Sequence, residues 1–261
     1  MKRGWNLQTA DKIYLWSHEI TEVYLWYNKI RPESQYHPFT PWPNTLCYFP
    51  FRQDFIDVTW NQTLTVNNVG LTEWWQLSIP CAEFYGSSSL TSTSTIPLTW
   101  ASAFTFSCWM NPLNTYSWWI FTMWTPPSEI DPYWQAVVGG DRTASLYFNM
   151  STLFIWSWWN DAQTNIDVTD WIDDFHNVIM TQNNNSVKVY IDGVQVFSQS
   201  WFDYDLQSTT TLILWNDQVD WARYFWFMNE VILENKEWTS LEVLNYFNST
   251  CTEYWHLPIN S

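Results

Sequence analysis

Carboxylates two or four positions apart on one strand face the same way and can act as nucleophile and general acid in retaining glycoside hydrolysis. Glu129-Ile130-Asp131 begins such a pattern, but Tyr133 and Trp134 stand where a second glutamate is needed. Pro126, Pro127 and Pro132 also make the stretch a loop rather than a central strand. His18, His37, His176 and His256 lie far apart in different expected elements, with no HExxH pair and no Ser/His/Asp order around them. Cys47, Cys81, Cys108 and Cys251 have neither CxxC nor His-interleaved spacing, so they read as scattered core thiols rather than a zinc site. These residues predict no catalytic group and no metal site, and they leave the ligand-binding residues unassigned.

Charge narrows the partners. With 10 Lys and Arg against 26 Asp and Glu in 261 residues, the formal charge is -16. Phosphate neutralisation needs clustered cations, so nucleic acid is not an expected partner. An anionic membrane surface would repel the chain, whereas neutral or cationic ligands remain open. Met1-Lys2-Arg3 runs on through Asn6, Gln8, Thr9 and Asp11 without an apolar stretch, so no signal peptide is readable. No apolar run is long enough to predict a membrane span.

The elements that would position any site fall into three parts. Lys12 to Ile20 reads KIYLWSHEI and Glu22 to Ile30 reads EVYLWYNKI, a repeat in which each copy predicts a small hairpin whose isoleucine opens the return strand. Residues 1–31 are therefore an expected hairpin arm. A proline-rich linker follows over 32–44, with Pro32, Pro38, Pro41 and Pro43. From 45 to 261 short apolar strands alternate with Asn, Asp, Ser, Thr and Gly clusters, the pattern of an antiparallel sandwich or barrel. One helix is expected near the end, where Thr239-Ser240-Leu241-Glu242 has the form of a capping box and Leu241, Leu244 and Phe247 follow at helical spacing.

The richest stretch is FHNVIMTQNNNSVKVYIDGVQVF, Phe175 to Phe197, which predicts two strands around Asn183 to Asn185 and a tight hairpin turn at Asp192-Gly193. Val187, Val189 and Ile191 alternate with Lys188 and Tyr190, and with Phe106 and Ile213 they make the expected core. This stretch resembles the central hairpin of the laminin-G-like, concanavalin A-like jelly-roll family. The segment Tyr48 to Asp57, the strand FTFSCWM from Phe104 to Met110 and the closing strand and helix from Phe227 to Phe247 resemble it too. The resemblance implies a two-sheet antiparallel jelly-roll sandwich over 45–261, with His176 as a structural strand-opening residue. Glucanases share that superfold, and Glu129 to Asp131 lacks their second acid. Some family members bind calcium through loop oxygens, so the resemblance leaves Asp57, Asn61 and Asn229 as a minor candidate, while no cofactor is expected.

Composition holds one anomaly: 23 Trp against 6 Gly, where ordinary usage of about 7% would give roughly 18 glycines. Many tryptophans stand where the family turns on glycine. One reading is that these are UGA codons written as Trp but decoded as Gly, as some uncultured bacteria and their phages do. The other is that the tryptophans are stacking platforms for sugar rings. Trp16, Trp26, Trp60, Trp159 and Trp215 test the choice, because each sits at an expected turn where glycine would supply positive φ freely. Trp109, inside an apolar strand, is the control.

The expected function is non-catalytic recognition of a glycan or cell-surface ligand, in a phage virion or bacterial surface protein, with the arm meeting other virion or surface proteins. A glycoside hydrolase of the same superfold and a purely structural virion component are the alternatives.

Overall fold

The computed structural model describes four short strands before residue 31 and, thereafter, residues 39–259 apart from 75–78, 100–101, 113–117, 125–142, 150–151, 158–159, 184, 203–205, 207–209, 215–224 and 255. It divides into two units, Met1–His37 and Pro38–Ser261.

In the first unit β1 (Ile13–Leu15) pairs with β2 (His18–Ile20), and β3 (Val23–Leu25) pairs with β4 (Asn28–Ile30). Each repeat copy is thus one hairpin. The isoleucine closes the return strand instead of opening it: Ile20 lies opposite Ile13 and Ile30 opposite Val23. That register sets apolar β-branched residues across from each other, the pairing that stabilises a two-stranded ribbon.

The second unit is a sandwich of antiparallel strands. One layer runs β15 (Val194–Ser200), β14 (Ser186–Ile191), β13 (His176–Asn183), β8 (Phe104–Pro112) and β17 (Phe225–Glu234), with β5 (Thr45–Phe49) beside the last residues of β17. The other runs β12 (Asn160–Asp167), β11 (Thr152–Ser157), β10 (Thr143–Asn149), β9 (Trp118–Trp124) and β16 (Thr211–Leu214). β7 (Ile79–Ser92) joins them, pairing with β17 through Ala82 to Tyr85 and with β16 through Leu90 and Thr91, while β6 (Leu64–Trp74) follows it with a register shift between Asn67 and Val69. Phe106 of β8 stacks on Phe121 of β9 with centroids 3.9 Å apart, although three strands separate them in hydrogen-bond order. Two faces therefore meet, as in a sandwich. Phe106, Val187, Val189 and Ile213 are buried as expected, and Ile191 packs against the same core half-buried.

β8 is buried along its whole length. Its Phe104, Phe106, Cys108 and Met110 enter the core, and Trp109 faces the other way into a cluster with Phe247, Cys251 and Tyr254. That outer cluster lies under helix α1 (Ser240–Thr250). The capping box forms: the Glu242 N–H donates to Thr239 Oγ1 at 3.2 Å and the Thr239 N–H to Glu242 Oε2 at 2.8 Å. The buried face is not the expected 241, 244 and 247. Of those three only Phe247 is on it, with Val243, Tyr246 and Thr250; Leu244 is half-buried and Leu241 is 63% exposed. Trp238, just before the cap, is buried in one cluster with Val243, so a hydrophobic staple sets the rotation of the helix.

The body begins inside the stretch read as a linker. Phe39 lies 5.3 Å from Tyr48 and 5.9 Å from Tyr246, Trp42 lies 5.6 Å from Trp238, and the Asn235 N–H donates to Asn44 O at 2.9 Å. Within the stretch expected as a linker over 32–44, half-buried Phe39 and exposed Trp42 pack against the helix cluster.

Candidate functional site

Three segments distant in sequence converge at one edge of the helix-covered layer. His176 opens β13, Asp192 starts the β14–β15 turn, and His256 follows a 3-10 turn at Cys251–Tyr254. Asp192 and Gly193 both have positive φ, 50° and 80°, the pattern of a type I′ hairpin. That turn places the Asp192 carboxylate beside the β13 strand. Its Oδ1 accepts the Asn177 N–H at 2.8 Å and its Oδ2 lies 2.7 Å from His176 Nδ1. His256 Nε2 donates to Phe175 O at 2.5 Å.

Aromatic rings wall the group. Trp171 stacks on His176 at 4.7 Å, Trp109 lies 5.6 Å from His256, and the two imidazole centroids are 5.5 Å apart. Burial raises the Cys251 thiol pKa, and the charge of Asp192 adds to that. The four histidines lie far apart in sequence, without ligand spacing, and the fold brings His176 and His256 together. His18 lies in β2, while His37 and the Glu129 to Asp131 stretch fall outside the described residues.

The minor calcium candidates are otherwise engaged. Asp57 is buried and organises its own loop, its oxygens accepting the N–H groups of Tyr48, Thr59, Asn61 and Gln62. Asn229 spends its amide on Pro80 O and on the Glu230 N–H. Asn61 Nδ2 donates to Thr45 O. Each side chain closes a local backbone gap.

Of the tryptophan test set only Trp60 lies among the described residues; Trp16, Trp26, Trp159 and Trp215 do not. Trp60 has φ 61° and is 80% exposed. Trp201, outside that set, repeats it with φ 65° and 84% exposure. Phe51 and Glu230 also have positive φ, but both are buried, Phe51 stacked on Phe49 and Glu230 hydrogen-bonded to Tyr48. Trp109 is fully buried, with its indole N–H donating to Thr250 Oγ1 at 3.2 Å.

No protein-family model matches the chain, and no curated protein sequence does. Solved structures match its fold. The binding domain of Paraclostridial Mosquitocidal Protein 1 superposes with a TM-score of 0.61 at 13% identity, over 79% of this chain and 52% of that one. The botulinum neurotoxin serotype G binding domain gives 0.59 at 14% identity, over 78% and 50%. A botulinum neurotoxin type C structure, described with cell entry dependent on two ganglioside molecules, gives 0.58 at 14% identity, over 79% and 51%. The chain thus spans about half the length of the solved chains it matches. At such identity the likeness establishes the sandwich fold.

Proposed function

We propose that this chain is a non-catalytic recognition module for a glycan or another cell-surface ligand, displayed on a virion or outside a cell. The observation that carries this reading is the likeness of its sandwich to the binding domains of toxins, one of them described with gangliosides. Within that reading the sandwich is a laminin-G-like, concanavalin A-like jelly roll, a class supported by the Asp192-Gly193 hairpin and the His176–Asp192 pair that braces it. The hairpin arm serves assembly with other virion or surface proteins. A glycan array that includes ganglioside headgroups tests the module: saturable binding to a defined glycan supports it. Sugar release from a polysaccharide panel would replace it with a hydrolase, and arm-dependent assembly without any ligand would make the chain a structural component.

A second reading concerns the tryptophans, and Trp60 and Trp201 favour it. Both hold a backbone conformation that glycine adopts freely, and both leave the indole in solvent, where no packing offsets the strain. We infer that these positions are glycine in the working protein, through UGA codons. In the arm, the pairs Leu15 with His18 and Leu25 with Asn28 enclose Trp16 and Trp26 as the first of two residues, the position glycine takes in a type II′ hairpin. The sugar-platform reading instead needs the indoles. Reading the codons decides: UGG at 60 and 201 overturns the glycine assignment.

A further inference from the structure

One ring nitrogen of His176, one of His256 and one carboxylate oxygen of Asp192 lie within 4.8 Å of one another. The surrounding hydrogen bonds decide which nitrogens carry lone pairs. A carboxylate only accepts, so the His176 nitrogen 2.7 Å from Asp192 Oδ2, Nδ1, bears a proton, and Nε2 is the nitrogen left for a ligand. That Nε2 is buried and meets no hydrogen-bond partner. A carbonyl likewise only accepts, so His256 Nε2 bears its proton toward Phe175 O and Nδ1 keeps the lone pair.

Two imidazoles thus stand with ring centroids 5.5 Å apart, each anchored through one nitrogen. An unpartnered buried acceptor costs folding free energy unless something occupies it. The anchoring is the arrangement metal-binding histidines use: the carboxylate or carbonyl on the far nitrogen holds the tautomer and the ring orientation and strengthens the ligand. We propose that His176 and His256 bind a divalent transition-metal ion of the zinc class, with Asp192 as the carboxylate that orients His176 and offsets the ion's charge. Imidazole nitrogen selects zinc, copper or nickel over calcium and magnesium, which take oxygen. Zinc takes nitrogen ligands at about 2.0–2.1 Å, so the two rings must turn their free nitrogens onto one ion. The His176 and Asp192 side chains keep 15% and 23% of their surface in solvent, but His176 Nε2 itself is buried, so an ion reaches it only when neighbouring side chains move. Remaining coordination positions fall to water.

Such an ion would pin the segment at His256 to the start of β13 and, through Asp192, to the β14–β15 turn. This inference is independent of the glycan-binding reading. The test uses the full chain stripped with EDTA and titrated with Zn2+ by calorimetry, and with Co2+ by visible absorption, where nitrogen ligation shows as a ligand-field band. One ion per chain is expected. His256→Gln, which leaves the His176–Asp192 pair in place, should abolish the band, and Asp192→Asn should weaken binding by about 10- to 100-fold. The His18→Gln/His37→Gln double variant should bind as the parent does. The proposal is overturned if no ion binds with a fixed stoichiometry, if His256→Gln binds normally while its circular dichroism is unchanged, or if binding vanishes only in the His18/His37 variant.

Discussion

Arg52 meets the Glu253 carboxylate through two parallel contacts, Nη1 to Oε1 at 2.7 Å and Nη2 to Oε2 at 2.8 Å. The same guanidinium reaches Glu230 Oε1 from Nη2 at 3.1 Å, and Tyr48 donates its hydroxyl to Glu230 Oε2 at 2.6 Å. Glu230 sits in the β17 bulge at φ 52° and is 1% exposed. One cation thus ties the loop after β5, the centre of β17 and the C-terminal 3-10 turn together. Arg52→Met removes the charge but keeps much of the volume, leaving two carboxylates in a poorly solvated site. Urea unfolding should register a loss of about 3–5 kcal/mol. A loss below ~1 kcal/mol would mean that water already screens the cluster.

The capping box makes a smaller, pH-dependent contribution. Thr239→Ala should cost about 1 kcal/mol in the same measurement. Burial works to raise the Glu242 pKa, but Lys236 and the two Thr239 hydrogen bonds outweigh it and hold the carboxyl below its ordinary value. A depressed carboxyl stabilises the fold above its unfolded pKa, and that stability is lost as pH falls through the folded value. Glu242→Gln should therefore flatten part of the acid limb of the stability curve below about pH 4.5. An unchanged acid limb would show that the box contributes nothing there.

Local signals were legible in the chain. The Asp192-Gly193 turn, the alternation of Val187 and Val189, and the cap at Thr239 each depend on neighbours a few residues away. Helical spacing places Phe247 correctly but not Leu241, because Trp238, outside the helix, packs on Val243 and sets the rotation. The His176 and His256 pair carries no local signal at all. It exists because Tyr254 stacks on Trp109 at 4.0 Å and carries the next residues over the outer face of β8. Only the separate readings of His176 as a strand-opening residue and of Asp192-Gly193 as a turn touched that edge.

Gly193 is constrained in two ways. Its φ is +80°, and a Cβ there would lie 3.0 to 3.1 Å from the Phe247 ring and Cβ. Gly193→Ala should destabilise by about 1–3 kcal/mol through strain at that φ, with the helix shifted off the hairpin to make room. Thermal unfolding and the backbone amide shifts of 246–248 would report both effects. An alanine variant as stable as the parent would show that neither the turn nor the helix contact is tight.

The glycine inference predicts that two substitutions normally counted as drastic will stabilise the protein. At Trp60 and Trp201 the backbone holds φ 61° and 65°, where a Cβ-bearing residue costs roughly 1–2 kcal/mol. Their rings are mostly in water, so removing them forfeits little buried area. Glycine brings a larger unfolded-state entropy, which takes back part of the gain. The balance for Trp60→Gly and Trp201→Gly should still be a stabilisation of about 0.5–1.5 kcal/mol each by urea unfolding, and the two should add because they stand on separate loops. Exposed apolar area also falls, so the double variant should resist aggregation better. Trp109→Gly is the opposite case: it leaves a cavity between Phe247 and Tyr254 and should cost about 3–5 kcal/mol or prevent folding. Destabilisation at 60 and 201 would mean the indoles hold their loops by contacts of their own. Retained glycan binding in the double glycine variant would separate the two readings directly, since a stacking platform cannot survive the loss of its rings.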